Sequence, residues 1–363
     1  MSRLRYRARM AAHLLYAFAF LPFAGGVRGE EVVAPSGKTN NPSVEPAVVL
    51  RRAPTAAPGA ILYVETMPDA ALEAFALARG MNVLRIDTSK IMPPAATRDP
   101  LGPLLTRYRR ETGAMRVIGH GGAGQAAALL AGGFDGLLLE GADDVSPAGD
   151  MRVIAVVGAD FFWSPVPPVL ANKPAATNLR RFYLSGISLA RRGDCPPSVA
   201  DAAAPARRAL LLALADWMKG VKPPASRFPG GSDLVAARAG VWPKIPGLPT
   251  PPCDARLVPP IDIDGNERRL GLVLPDRAMP IATFTVFDAD RGGCSGGVAW
   301  PFASSKAERE KRADPRLSLV ERYGSRAYFV ATMRVVSDRL VKERLLLPED
   351  ADAYVAAAKA APF

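Results

Sequence analysis

Hydrophobic positions fall into a regular rhythm from Ala60 onward, with short apolar runs separated by stretches of helical period. Ile61 to Val64 predicts a buried strand, Ala70 to Arg79 a helix, and Asn82 to Ile86 the next strand. Leu101 to Glu111 predicts a second helix, Met115 to Ile118 a strand and Gly124 to Ala131 a helix. Gly136 to Leu139, Val153 to Val157 and Arg181 to Leu184 predict three further strands. Alternation of this kind predicts an α/β fold, a parallel sheet with helices on both faces. Pro205 to Lys219 reads as a strongly apolar helix. Val221 to Pro260 then carries the proline pairs Pro223-Pro224, Pro251-Pro252 and Pro259-Pro260, which predict a long ordered loop over the surface. A turn at Asp262 to Asn266 follows, and helices at Lys306 to Glu310, Tyr328 to Glu343 and Pro348 to Ala360 close the chain.

The first 58 residues follow a different pattern. Arg3, Arg5, Arg7 and Arg9 precede a mostly apolar run from Met10 to Ala24, too short to span a bilayer comfortably. Small residues at Val27-Arg28-Gly29 suit cleavage before Glu30. Residues 1–29 are therefore expected to be a signal peptide, residues 30–58 a flexible leader, and residues 59–363 one domain. Within that domain, 59–220 would form the sheet core and 221–363 the proline-rich loops and C-terminal helices. The expected location is periplasmic or secreted, with no stable membrane span after cleavage. Residues 1–29 hold five arginines and no acid, so the net charge of +11 falls to +6 once they are removed. The remaining arginines are scattered, with no basic stripe bearing interleaved aromatics, and nucleic acid is not an expected partner. An oxidising compartment would allow two of Cys195, Cys253 and Cys294 to pair, in any of three ways. No cysteine or histidine spacing suits a metal, and none is expected.

The most chemically suggestive stretch is Gly119-His120-Gly121-Gly122-Ala123-Gly124, between a predicted strand and a predicted helix. His120 is the single histidine beyond the first thirty residues. One reading is structural: glycines let the helix pack close to the sheet, and His120 is a satisfied core side chain. A second is the nucleophile elbow, the pattern G-x-S-x-G on a strained strand-to-helix turn. The sterics fit, but Gly121 stands where serine belongs, and a true elbow would give Gly121 a positive φ. A third is a dinucleotide fingerprint. Gly119, Gly121 and Gly124 match G-x-G-x-x-G, with Glu140 at the end of the following strand as the ribose ligand. Positions expected to line a ligand pocket are Gly119, His120 and Gly122, with Phe162 and Trp163 at another strand's C-terminal end. Cys294 and Ser295, in a glycine-rich run, would need a base within reach to serve as nucleophiles.

Downstream residues carry a family resemblance. Arg208-Ala209-Leu210-Leu211 through Asp216-Trp217 leads into Pro223-Pro224-x-Ser226-Arg227-Phe228-Pro229. Ile261-Asp262-x-Asp264-Gly265-Asn266-Glu267 and Leu274-Pro275 follow. Then come Pro301-Phe302-Ala303, Glu308-Arg309, Asp314-Pro315-Arg316-x-Ser318, Glu321-Arg322-Tyr323-Gly324 and Leu346-Leu347-Pro348-Glu349-Asp350. These blocks resemble those of exported bacterial α/β-hydrolase-domain proteins. The resemblance implies an α/β-hydrolase-like sheet and places Gly121 on the family's serine. It places Leu189, in Ser185-Gly186-Ile187-Ser188-Leu189, on the family's histidine, and Asp160 in line as the acid. It implies a relative of esterases without serine–histidine chemistry, acting as a binding or structural protein toward a small molecule or protein, with no cofactor. Two alternatives stay open. One is an active carboxylic-ester hydrolase using Ser185, Ser188, Ser295 or Cys294. The other is a dinucleotide-binding protein using Gly119 to Gly124 and Glu140.

Overall fold

The computed structural model describes residues 30–33, 48–56, 60–88, 101–142, 145–163, 176–189, 201–240, 242–248, 250–286 and 298–363. The expected signal peptide, Cys195, Cys294, Ser295 and most of the expected leader lie outside them.

Strands β1 (Glu30–Val33), β2 (Val48–Arg52), β3 (Ile61–Glu65), β4 (Asn82–Ile86), β5 (Arg116–Gly122), β6 (Gly136–Glu140), β7 (Arg152–Gly158) and β8 (Leu179–Leu184) build one sheet. Their order across it is β1-β2-β4-β3-β5-β6-β7-β8. From β4 to β8 every neighbouring pair is parallel, whereas β2 runs antiparallel to β4 and β1 antiparallel to β2. Two strands thus lie within the expected leader. The periodicity of Val48-Val49-Leu50-Arg51-Arg52 is too short to stand out, yet Val48 and Leu50 are buried, and pairing with β4 holds the segment in place.

Alternate residues of each strand face opposite sides of the sheet, and both sides are covered. Helix α1 (Ala70–Ala78) opens at Asp69, whose side chain accepts from the Leu72 N–H. Helix α2 (Leu101–Thr112) and helix α3 (Ala126–Ala131) pack on the side of Leu62, Val117, Leu137 and Leu139. The opposite side, with Tyr63, Ile118, Leu138 and Ile154, is covered by α1 and by a later helix, Ala204–Met218. One turn of helix, α4 (Asp160–Trp163), lies in the chain between α3 and this long helix, which is α5.

The proline-rich stretch is held by β8. Tyr183 donates its N–H to the Arg227 carbonyl, Arg227 to that of Arg181, and Ser185 to that of Leu272. Irregular backbone thereby occupies the ladder positions of an edge strand that would otherwise be open. Within it, β9 (Val235–Ala236) and β10 (Leu257–Val258) pair antiparallel, as do β11 (Ala282–Thr285) and β12 (Val298–Pro301) further on. Short helices α6 (Pro275–Ala278), α7 (Lys306–Lys311) and α8 (Leu319–Tyr323) lead to the longer α9 (Arg326–Lys342) and α10 (Pro348–Lys359), which pack on each other. Among the described residues no helix is long and apolar enough to cross a membrane.

Candidate functional site

The chain order passes from β3 to β4 on one side and to β5 on the other, so the sheet's switch point lies between β3 and β5. Ligands of open α/β sheets bind outside the carboxyl ends of strands at such points. Here that end is filled by a chain of buried polar groups. His120 pairs with Glu65 across the β3–β5 register and faces α5, on the same side as Tyr63 and Ile118. Its Nδ1 lies 2.8 Å from the Tyr63 hydroxyl and its Nε2 2.9 Å from Glu140 Oε1. Both bonds are made when Nε2–H donates to the carboxylate and Nδ1 accepts from Tyr63. Arg207, on α5, donates its Nε–H to the same Glu140 oxygen at 2.5 Å and pairs with Asp201. Asp69 lies 3.9 Å from the same guanidinium.

His120, Glu140 and Arg207 are 0%, 5% and 1% exposed, so each depends on protein partners for its polar contacts. Burial pushes the Glu140 carboxyl up, but the Arg207 charge and the His120 hydrogen bond outweigh it and hold the group well below the usual carboxylate range. Glu65, beside His120 on β3, has its nearest cation, Arg85, at 3.8 Å. Its carboxyl is driven up to about 8 by burial, against a hydrogen bond from the Asp69 N–H.

The elbow expectation is overturned. Gly121 lies inside β5, and neither it nor any neighbour from Gly119 to Ala126 has a positive φ. Gly122 is likewise extended, at φ −89° and ψ −180°, and its N–H is taken by the Gln125 side chain. The chain enters α3 through one tight turn, Ala123–Gln125, without the strained nucleophile geometry. Gly121 faces α3, opposite to His120. A Cβ there would meet Thr66 Oγ1 at 2.5 Å and Leu129 Cδ1 at 2.6 Å, so packing rather than φ demands glycine. Thr66 is fixed in that place because its N–H and hydroxyl both donate to the His120 carbonyl, at 3.0 and 2.8 Å. The β3–α1 loop, which in hydrolases supplies an oxyanion donor, thus commits the Thr66 amide to β5 and the Asp69 amide to Glu65.

The dinucleotide geometry is also absent. Gly119 and Gly121 belong to a strand, not to a phosphate loop, and a Cβ on Gly119 would meet Leu137 and Phe134 within 3.0 Å. Glu140 is buried against Arg207 and His120 and cannot reach a ribose. Phe162 and Trp163 are buried against other aromatic rings. Phe162 sits edge-on to Tyr183 with ring centroids 5.1 Å apart, Trp163 packs on Trp242 at 5.7 Å, and both belong to a separate buried cluster.

The structure does bring Asp160 and Leu189 together. The Leu189 N–H donates to Asp160 Oδ1 at 2.8 Å, and Ser188 hydrogen-bonds the same carboxyl. Burial raises the Asp160 pKa. Gly158 permits the approach, since a Cβ on it would meet Asp160 Oδ1 at 2.4 Å and Leu189 N at 2.6 Å. Sequence reasoning missed the groups that fasten this corner. Glu267 accepts from the Tyr183 hydroxyl and from the Gly186 N–H at 2.7 Å, and burial pushes it up to about 7. The only sequence signal was its place in the Asp262-to-Glu267 block. Among the described residues no group of three His, Cys, Asp or Glu side chains could hold a metal.

The family comparison agrees with this architecture. A family model described as an alpha/beta hydrolase domain matches residues 175–356, a segment that begins after Gly121 and Asp160. Among solved structures, carboxyl esterase 2 of the mycorrhizal fungus Tuber melanosporum is 10% identical, with a TM-score of 0.26. The match covers 42% of this chain and 77% of that one. No curated protein matches.

Proposed function

The chain belongs to the alpha/beta hydrolase domain family, and from that premise we propose that it is a non-catalytic member, a binding or structural relative of esterases. The observation that carries this reading is the filled space at Gly121. A serine there would need its Cβ where Thr66 Oγ1 and Leu129 Cδ1 already lie, 2.5 and 2.6 Å away. Three further features support it. No residue from Gly119 to Ala126 has the positive φ of a nucleophile turn. The one histidine among the described residues has both ring nitrogens engaged in a buried network. Leu189, at the position assigned to the family's histidine, has no titratable group to offer. Loss of nucleophile and base removes most of the rate such sites provide, several powers of ten.

The chain is also proposed to be exported, with residues 1–29 removed. Cleavage before Glu30 would leave every described strand in the mature protein.

Hydrolysis of 4-nitrophenyl esters of graded acyl length by the purified chain tests the reading, together with labelling by a fluorophosphonate probe. The expected result is no turnover above that of heat-denatured protein and no labelling. Saturable hydrolysis abolished by the probe would overturn it. It would favour an active ester hydrolase, with Ser188 as the first nucleophile to examine because its partner is the buried Asp160.

A further inference from the structure

A cavity of about 530 Å³ opens beside the loop that follows β8. Blocks widely separated in sequence converge on it: Asp262, Asp264 and Glu267 from one, Arg322 and Tyr323 from another. Arg268, Arg269 and Arg277 complete its polar lining, while Ala278, Met279 and Pro280 give it an apolar side.

Two of the guanidiniums are positioned by aromatic faces. Arg277 lies 3.6 Å from the Phe284 ring centroid and Arg322 4.5 Å from that of Phe302, which fixes each plane before any ligand arrives. Their N–H groups exceed the acceptors supplied. Arg322 donates to Asp264 Oδ1, yet its buried Nε has no hydrogen-bond partner among the described residues. Arg268 gives one bond to the Ile261 carbonyl and Arg269 one to that of Ala278. Each guanidinium carries five such donors. Arg277 bonds the Gly186 carbonyl and Asp276.

The carboxylates of the lining already have partners. Asp264 is held by Arg322. Asp262 Oδ1 accepts from the N–H groups of Asp264 and Asn266 within its own turn. Glu267 accepts from Tyr183 and Gly186, and its burial favours the neutral acid. What faces the cavity is a surplus of planar, fork-shaped donors beside an apolar wall.

We propose that this cavity binds a small organic carboxylate, its oxygens on the guanidiniums of Arg269 and Arg322 and its carbon skeleton against Met279 and Tyr323. Planar guanidinium forks match a carboxylate in bidentate fashion. The volume lies within the range of small-molecule sites and exceeds what an inorganic oxyanion fills. The apolar wall also gives such an ion nothing to contact. The proposal stands on the cavity alone, so failure of the non-catalytic reading would leave it untouched, and the reverse holds as well.

The test uses the full chain and sodium benzoate as probe, titrated by calorimetry at constant ionic strength. Sodium phosphate and sodium chloride serve as comparisons. Saturable benzoate binding is expected, with a shift of the Met279 methyl resonance in methionine-labelled protein. Arg269→Gln should weaken binding at least about tenfold, the loss of a charge-assisted pair. Arg116→Gln, in the separate cavity lined by Arg116 and Asp135, should leave it unchanged. Absence of benzoate heat together with an unmoved Met279 signal would overturn the proposal. Phosphate binding as tight as benzoate would overturn the ligand class. Equal affinity in Arg269→Gln, with native circular dichroism, would overturn the site.

Discussion

Gly121→Ala isolates the reason for glycine at the centre of this fold. On an extended backbone with free space, alanine in place of glycine stabilises by about 0.4–1 kcal/mol, through the lower entropy of the unfolded chain. Gly121 has extended, unstrained backbone, so φ gives no reason for a penalty. Space does. The new Cβ lies 2.5 Å from Thr66 Oγ1 and 2.6 Å from Leu129 Cδ1. Leu129 is 0% exposed, and Thr66 is tied to the His120 carbonyl, so neither moves freely. Overpacking of this kind costs about 1–3 kcal/mol. The net expectation is destabilisation by roughly 1–2 kcal/mol, read as a lower urea midpoint at unchanged m. On a Thr66→Ala background the added cost of Gly121→Ala should shrink, because one of the two colliding atoms is gone. Gly121→Ser with Leu189→His should show no esterase activity, since the serine gains neither space nor a turn. A stabilised Gly121→Ala protein, or measurable turnover in that double variant, would refute the packing argument.

Other perturbations address the remaining parts of the site. Glu140→Gln leaves Arg207 buried with a neutral neighbour and should cost about 3–5 kcal/mol, the range for breaking a buried ion pair. Paired with Arg207→Met it should cost less than the two single changes together, as urea unfolding of the four proteins would show. Glu267→Gln addresses pH dependence. The folded pKa of Glu267, about 7, exceeds its usual 4.5. The native state therefore holds the extra proton between those values, and this contribution to stability is complete below about pH 4.5 and lost as pH rises through 7. The glutamine variant should lose less stability than the parent between pH 5 and 8, by up to about 1.4 kcal/mol per pH unit, and an identical slope would show that Glu267 ionises normally. Phe162→Ala should cost about 3–5 kcal/mol because the ring is a core element, whereas a ligand platform would lose far less on thermal or urea unfolding.

The sheet was legible where strands were long and buried on both faces. Val153 to Val157 announced β7, and Asn82 to Ile86 coincided with β4. β2 was not legible, because its stability comes from pairing with β4, a long-range interaction that local period does not encode. The same limit applies at the glycine stretch. The composition of Gly119 to Gly124 is equally suited to an elbow, a phosphate loop and a close-packed strand. What decides among them is the position of Thr66 and Leu129, residues that only the fold brings to Gly121. His120 was legible as the residue to watch, but its partners Tyr63 and Glu140 lie 57 and 20 positions away in sequence, and Arg207, which binds Glu140, lies 67 positions beyond that residue. Arg207 carried no signal, since an arginine near the start of a helix is ordinarily solvated. The cavity beside β8 left a trace in the sequence blocks at Asp262 and Glu321, though nothing in either block shows that they meet.

The two positions that the family resemblance assigns to nucleophile and base differ physically. At Leu189 the fold uses the backbone: the N–H donates to Asp160, and the preceding turn is fastened through Gly186 by Glu267 and Arg277. None of these contacts depends on which side chain stands at 189, so the loop keeps its shape whether or not an imidazole is present. At Gly121 the fold uses the absence of a side chain, and Thr66 and Leu129 occupy the space. An imidazole at 189 would need little rearrangement, while a serine at 121 would require the β3–α1 loop to release the His120 carbonyl and the strand to break early. The centre is therefore closed from the nucleophile side. Under the non-catalytic reading proposed above, the guanidinium-lined cavity beside the β8 loop, where Arg322 Nε has no hydrogen-bond partner among the described residues, is the proposed place for a ligand.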